Sequence, residues 1–456
     1  MRSVRIRLPA LRECIRQRPQ FVRFSSSLSS SRYTPKISAK FPHSQHLWRS
    51  FATDLAEKPE EEADAEEPDR LINDPDADDA FFDAPSHEQR LADHVDLYTP
   101  LQQLTSATEM DVGKWFLVDP NVLSTPPLKT RWIHTNVKEL FEMAGQYLML
   151  RQPAFDLLTA FQDMLVDSKA EKGAAIGVHG PRGSGKSVTL HTLTQAAIQN
   201  KEHCLYISLD AREVVADHHG FLFPSPTREK IHMQGRWAKN FFTVLLDSQP
   251  ETLKKVSLKL DYDFDWILRG ETGQMSEQEL AEMDAVSVKR LDGKTLHDLA
   301  LYAADNSTIA GECLYKFVDE VIVATEVTPI VVLDSINLWD QKSEFRDPAN
   351  PFKKLDPRQL SAVHALSKFM VSAPQNGMSV FATTSNATLN MSKKHMVDAT
   401  YALEVPVYNN REISQCVWHY KVSKFIYAEV DVFLLARIKG MTGGVPKDVF
   451  TDALII

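Results

Sequence analysis

The sequence predicts an α/β fold: a five-stranded parallel sheet with helices on both faces, a phosphate-binding loop after its first strand and a helical lid at the C-terminus. Three observations carry that expectation. Five short apolar runs (Ala174–Val178, Leu205–Leu209, Ile330–Leu333, Ser379–Thr383 and Tyr401–Val405) are separated by longer helical or irregular connections, the pattern of strands buried on both faces. The first run leads directly into Gly180-Pro181-Arg182-Gly183-Ser184-Gly185-Lys186-Ser187, a complete GxxxxGK[ST] motif, and then into the amphipathic segment Val188–Ile198. The tail Ile413–Ile456 reads as mostly helical, with Trp418, Val422, Phe425, Val432, Phe433 and Leu435 as candidate core residues.

Ahead of the sheet the chain changes character twice. Residues 1–50 hold nine Arg and two Lys against Glu13 alone, a net +10, with Val4, Ile6, Leu8, Leu11 and Ile15 interleaved with arginines. An Arg- and Ser-rich segment nearly free of acids, without an unbroken apolar core, reads as a mitochondrial transit peptide and predicts the matrix as destination. Residues 51–97 read as an acidic disordered spacer: 51–83 carry a net −12, with Pro59, Pro68 and Pro75 among few apolar residues. The rest of the chain is left with −8, which gives no overall basic footprint for nucleic acid. Local basic patches at Lys353-Lys354 and Lys393-Lys394-His395 could still meet nucleic acid and are equally readable as solvated surface.

Structured sequence is expected from near Tyr98. A helical pattern through Val137, Leu140, Phe141, Ala144 and Leu148, and a second starting around Pro153, predict an N-terminal helical extension over 98–170. The nucleotide-binding domain spans 171–406 with a long helical insertion over about 210–327, and the lid occupies 407–456. No membrane span is expected, since the best candidate, Val321–Ile336, contains Glu326 and Asp334. Cys14, Cys204, Cys313 and Cys416 are scattered, and His218-His219 lack partners at ligand spacing, so neither a disulfide framework nor a metal site is expected there.

The glycines of the motif let successive amides turn toward phosphate oxygens. Lys186 would reach the outer phosphates, the Ser187 hydroxyl would complete a Mg²⁺ shell, and the helix beginning there, through Val188, would add its positive end. Ile330-Val331-Val332-Leu333-Asp334 is an apolar strand ending in an acid, the Walker B pattern that places Asp334 on the metal. Many ATPases of this kind have a water-polarising Glu after that Asp; here Ser335 follows, and Asp340 and Glu344 are the nearest acids. Slow or absent hydrolysis follows, with no catalytic residue assigned. Thr383-Thr384-Ser385-Asn386 ends the fourth strand, where Asn386 is either a sensor facing the nucleotide or a turn cap. Thr442–Lys447 opens either a lid helix that brings Lys447 to a phosphate or a plain Gly-Pro helix start.

With those landmarks in order, the chain resembles the death-associated protein 3 family, GTP-binding proteins of the mitochondrial ribosomal small subunit. The resemblance covers about residues 130–456. It rests on Leu150-Arg151-Gln152-Pro153-Ala154, the P-loop, Trp237-Ala238-Lys239-Asn240-Phe241, Leu333-Asp334-Ser335-Ile336-Asn337-Leu338-Trp339, and Leu360-Ser361-Ala362-Val363-His364. Val405-Pro406-Val407 with Tyr408–Glu412, leading into a helix through Cys416 and Tyr420, completes it. Ser187 stands where many relatives have Thr, and the family pattern also lacks the Glu after its Walker B Asp. The resemblance implies an additional-strand P-loop fold of the AAA+/STAND-like type, assembly into the head of the small subunit, and contacts with ribosomal proteins of both subunits across their interface. It also implies GTP or GDP with Mg²⁺, although no NKxD-type base-reading motif is present. Competing functions are a soluble matrix ATPase or GTPase that remodels other proteins, against which Ser335 counts, and a nucleotide-dependent apoptotic switch, for which no residue speaks.

Overall fold

The computed structural model describes residues 97–453, apart from 120–140, 143–144, 167–172, 217–221, 226, 260–293, 349 and 385–398. The expected transit peptide, nearly all of the acidic spacer, Val137, Leu140, His218-His219, Asn386 and Lys393–His395 lie outside the described residues.

Five strands form the central sheet: β1 (Ala174–His179), β2 (Cys204–Asp210), β3 (Thr328–Asp334), β4 (Met378–Ala382) and β5 (Tyr401–Glu404). All pairings are parallel and the order is β5-β1-β4-β3-β2. Each strand begins and ends within two residues of its apolar run. The strand inserted between β1 and β3 is the additional strand, so the fold class follows from the order itself.

Alternation along the strands builds two cores, because successive side chains leave a strand on opposite faces. Ala175, Leu205, Ile207, Leu209, Val331, Leu333 and Phe381 face the helices of the insertion: α3 (Gly235–Ser248), α4 (Leu296–Asp305) and α5 (Ser307–Val323). Ile176, Val178, Tyr206, Ile330, Val332 and Val380 face α1 (Gln152–Val166) and α2 (Lys186–Gln199). Within the insertion, Leu296–Val323 forms two helices, α4 and α5, separated at Asn306 in an extended conformation.

Two expectations change. Helix α2 is not amphipathic: every residue from Thr189 to Ile198 is buried. Its threonines tolerate this by bonding inward, Thr189, Thr192 and Thr194 each donating to the carbonyl four residues back. Leu148 is not helical, so the N-terminal extension is not all helix. Gly145 turns the backbone at φ +86, and Tyr147–Met149 pairs antiparallel with Trp115–Leu117.

That ribbon belongs to a third core. Leu97, Trp115 and Met149 pack with α6 (Asn410–Val422), α7 (Val432–Thr442) and α8 (Pro446–Ala453) through Ile413, Cys416, Tyr420, Ile438 and Phe450. His419 stacks on Trp115 at 3.8 Å and shares a 2.9 Å hydrogen bond with Tyr98. The tail is helical as read, but Val432 and Phe433 are 79% and 84% exposed rather than core. Helix α7 turns Ile438 and Thr442 inward instead. No described helix is long and apolar enough to cross a membrane.

Candidate functional site

The loop between β1 and α2 closes tightly. Gly180, Gly183 and Gly185 all have φ between +75 and +147, a region that side chains disfavour. At Gly180 a Cβ would also lie 2.2 Å from the Val405 carbonyl, so the chain just past β5 sits directly against the loop. Lys186 Nζ donates to the carbonyls of Gly180 (2.9 Å) and Pro181 (2.7 Å), and the loop is thereby wrapped around its own ammonium group. Burial pulls the Lys186 pKa down, and the negative charge of Asp334 partly offsets it. Pro181 and Arg182 are exposed at the rim, while Ser187 and Val188 are half-buried in the first turn of α2. Ser184 is fully buried, and among the described residues its hydroxyl has no hydrogen-bond partner.

Asp334 ends β3, buried, with one carboxylate oxygen accepting from the Ser335 amide at 2.7 Å. Ser335 is left-handed (φ 62), which ends the strand abruptly and starts the 3₁₀ turn Ile336–Asp340. Its buried hydroxyl has no partner among the described residues. The position after Asp334 is therefore a bend carrying a short hydroxyl. With β4 between them, β3 and the P-loop strand are two inter-strand spacings apart, roughly 10 Å.

Three neighbours escaped the sequence reading. Asp210 ends β2 as the register partner of Asp334. Burial first and then the Asp334 charge push its carboxyl up to about 6, although it caps the Arg212 amide at 2.9 Å. Asn337 clamps the end of β4, accepting from the Thr384 amide at 2.6 Å and donating to the Thr384 hydroxyl at 2.9 Å. Thr383 is thereby held buried beside the loop strand, with its amide near the Val178 carbonyl at 3.5 Å. Asn337 was legible only as part of a family segment; nothing local to it announces a clamp.

The third is Arg151, 5% exposed, which donates to Ser184 in the loop and to Glu412 on α6. The lid meets the loop elsewhere too. The Lys447 amide reaches the Gly183 carbonyl at 3.3 Å, and a Cβ on Gly183 would lie 2.9 Å from Lys447 Cβ. The Gly-Pro start of α8 thus does both jobs read from sequence in part: it begins a helix and sits on the loop, with the Lys447 side chain exposed.

The donor set fits a magnesium nucleotide. The glycine cradle, the buried unpartnered Ser184 hydroxyl and an ammonium group satisfied only by loop carbonyls among the described residues leave phosphate oxygens as natural substitutes. Ser187 and Asp334 would supply hard oxygens of the kind Mg²⁺ takes. Among the described residues no cluster of three or more His, Cys, Asp or Glu could hold a metal ion. Cys204, Cys313 and Cys416 are buried free thiols.

Among solved structures, the ORC2 protein of Aeropyrum pernix, described in ADPNP and ADP complexes, is similar at 10% identity and a TM-score of 0.31. The likeness covers 67% of this chain and 60% of that protein, so the chain spans less than two thirds of its length. Among curated proteins none matches. A family model for mitochondrial ribosomal death-associated protein 3 matches residues 148–450, which run from the last strand before α1, through the loop and the whole sheet, into α8. The chain belongs to the mitochondrial ribosomal death-associated protein 3 family.

Proposed function

We propose that this chain is a structural protein of the small subunit of the mitochondrial ribosome, in the matrix, that holds guanine nucleotide and Mg²⁺ with slow or no hydrolysis. The carrying observation is a complete, pre-closed phosphate loop paired with Asp334 but followed by a buried left-handed Ser335 instead of an acid. Gly180–Val188 would hold the phosphates, Ser187 and Asp334 the metal, and Asn386 the role of sensor. The bound ion would supply charge neutralisation for the phosphates. Family membership supports ribosomal partners, with small-subunit neighbours and contacts across to the large subunit. The −8 charge of the body supports mostly protein contacts and limited rRNA contact.

A second reading, a competent nucleoside triphosphatase, is favoured by one observation: Asp210 places a second carboxylate beside Asp334. A single-turnover assay separates the two. Turnover above about one per second, within the usual enzyme range, would replace the anchoring role, and its loss in Asp210→Asn would name the acid. Sedimentation of mitochondrial lysate tests the assembly claim, since a protein found only in the free fraction is no ribosomal component.

A further inference from the structure

Arg151 stands outside the loop, just ahead of α1, yet its guanidinium joins three segments distant in sequence. Nη1 donates to the Ser184 carbonyl at 2.6 Å. Nε and Nη2 donate to the two oxygens of Glu412 at 2.8 and 3.3 Å, and Nη2 also donates to the Pro406 carbonyl at 2.9 Å. Its Cζ lies 4.8 Å from the centre of the Tyr408 ring. Both charges are buried, and Glu412 is itself fixed in a reciprocal cap with Asn409 at the start of α6.

We infer that Arg151 is a positioning residue of the phosphate loop and, through Glu412, links phosphate binding to the seating of the C-terminal helices. The inference rests on the nucleotide reading above. The Ser184 carbonyl and the Gly185 amide belong to one planar trans peptide, in which C=O and N–H point in opposite directions. Holding the carbonyl on Arg151 aims the Gly185 N–H within that plane, in the opposite direction. The Gly185 amide is among those a P-loop offers to phosphate. Gly185 makes the arrangement possible, because its φ of +98 is one that a side chain disfavours. Glu412 neutralises the guanidinium through the bonds to its two carboxylate oxygens.

Coupling follows from polarisation. When an anion accepts from the Gly185 N–H, the carbonyl of the same peptide becomes a better acceptor, so the bond to Arg151 strengthens. Arg151 is shared with Glu412 and Pro406, and the benefit passes to α6. The Tyr408 amide bonds the Gly444 carbonyl at 2.7 Å, which carries the connection on toward α8. By linkage, whatever nucleotide does to the seating of these helices, their seating does to nucleotide affinity.

The test is hydrogen exchange on the full chain, with and without saturating GTP–Mg²⁺ and, separately, ATP–Mg²⁺. In the wild type, nucleotide should slow exchange at least tenfold within 180–190 and also within 410–422 and 446–453. In Glu412→Gln the slowing within 180–190 should persist, while the slowing in the helices should fall to less than threefold. Arg151→Lys keeps the charge but loses the planar fork; it should behave the same way and serves if the first variant fails to fold. A merely structural role would raise exchange in the helices equally with and without nucleotide and leave the ratio unchanged. An unchanged ratio in a folded variant, or wild-type slowing confined to 180–190, overturns the inference while the nucleotide site stands. Binding of neither nucleotide to the wild type removes the site and the inference together.

Discussion

Two sets of helices meet the sheet on different terms. The insertion helices α3, α4 and α5 lay large apolar side chains against it: Phe242, Leu299, Leu314 and Phe317 are fully buried, and Phe242 and Phe317 make an edge-to-face pair at 5.5 Å. The C-terminal helices have their own core with the N-terminal ribbon, and they reach the P-loop by polar and backbone ties: Glu412 through Arg151 to Ser184, and Lys447 to Gly183. One of them, α7, leaves Val432, Phe433 and Met441 exposed. Apolar burial is broad and insensitive to small shifts, whereas a directed bond is lost within an ångström. The insertion is therefore scaffold, and the C-terminal module is the part whose seating can answer to what the loop holds.

The sharpest test of that contrast is a pair of identical truncations. Phe242→Ala should cost about 3–5 kcal/mol, the usual range for a buried phenylalanine. Phe433→Ala should stay within about 0.5 kcal/mol in isolated protein, as exposed substitutions do. Denaturant unfolding followed by tryptophan fluorescence reads both; comparable losses would erase the distinction. Next in size is Lys186→Ala, which removes the only loop ammonium among the described residues. It should weaken nucleotide binding about 100-fold or more, or about 3 kcal/mol, in a fluorescent-nucleotide titration. Unchanged affinity would detach the loop from phosphate altogether.

Helix α2, packed on the sheet, also holds a buried titratable group. His191, buried in α2, has its pKa pulled down to about 4 by burial. The unfolded chain, with His near 6.5, binds the extra proton first, so stability is intact above about pH 6.5 and is lost as pH falls toward 4. The loss between pH 7.5 and 5 should be on the order of 2 kcal/mol, and His191→Gln should flatten that slope in thermal melts. An equally steep slope in the variant would assign the acid sensitivity elsewhere.

What could be foreseen followed contiguity. The P-loop and the Walker B strand are each one unbroken segment, so their chemistry is visible residue by residue. The five strands announce themselves as apolar runs because both their faces are covered. Arg151 and Glu412 lie 261 residues apart and have no local signature; only the fold brings them together. Val432 and Phe433 misled because apolar spacing marks a helix without telling which face is covered. Leu148 misled because three residues of ribbon, decided by pairing with Trp115–Leu117, are too few to outweigh a helical pattern around them.

The smallest expected effect bears most directly on how the module is seated. Gly183 has φ +75, so Ala there carries backbone strain of about 1 kcal/mol before any contact is counted. Its Cβ would also stand 2.9 Å from Lys447 Cβ and 3.0 Å from Val445 Cγ1, at the entry to α8. The three atoms nearest that Cβ all belong to Val445 and Lys447, so the new methyl group relieves itself against the C-terminal module or by shifting the loop. Gly183→Ala should therefore lower overall stability by no more than about 1–2 kcal/mol, speed amide exchange in Pro446–Ala453, and leave exchange in Gly235–Ser248 at its wild-type rate. Faster exchange in both segments would mean that the two sets of helices open as one unit, and the division between scaffold and responsive module would have to be drawn elsewhere.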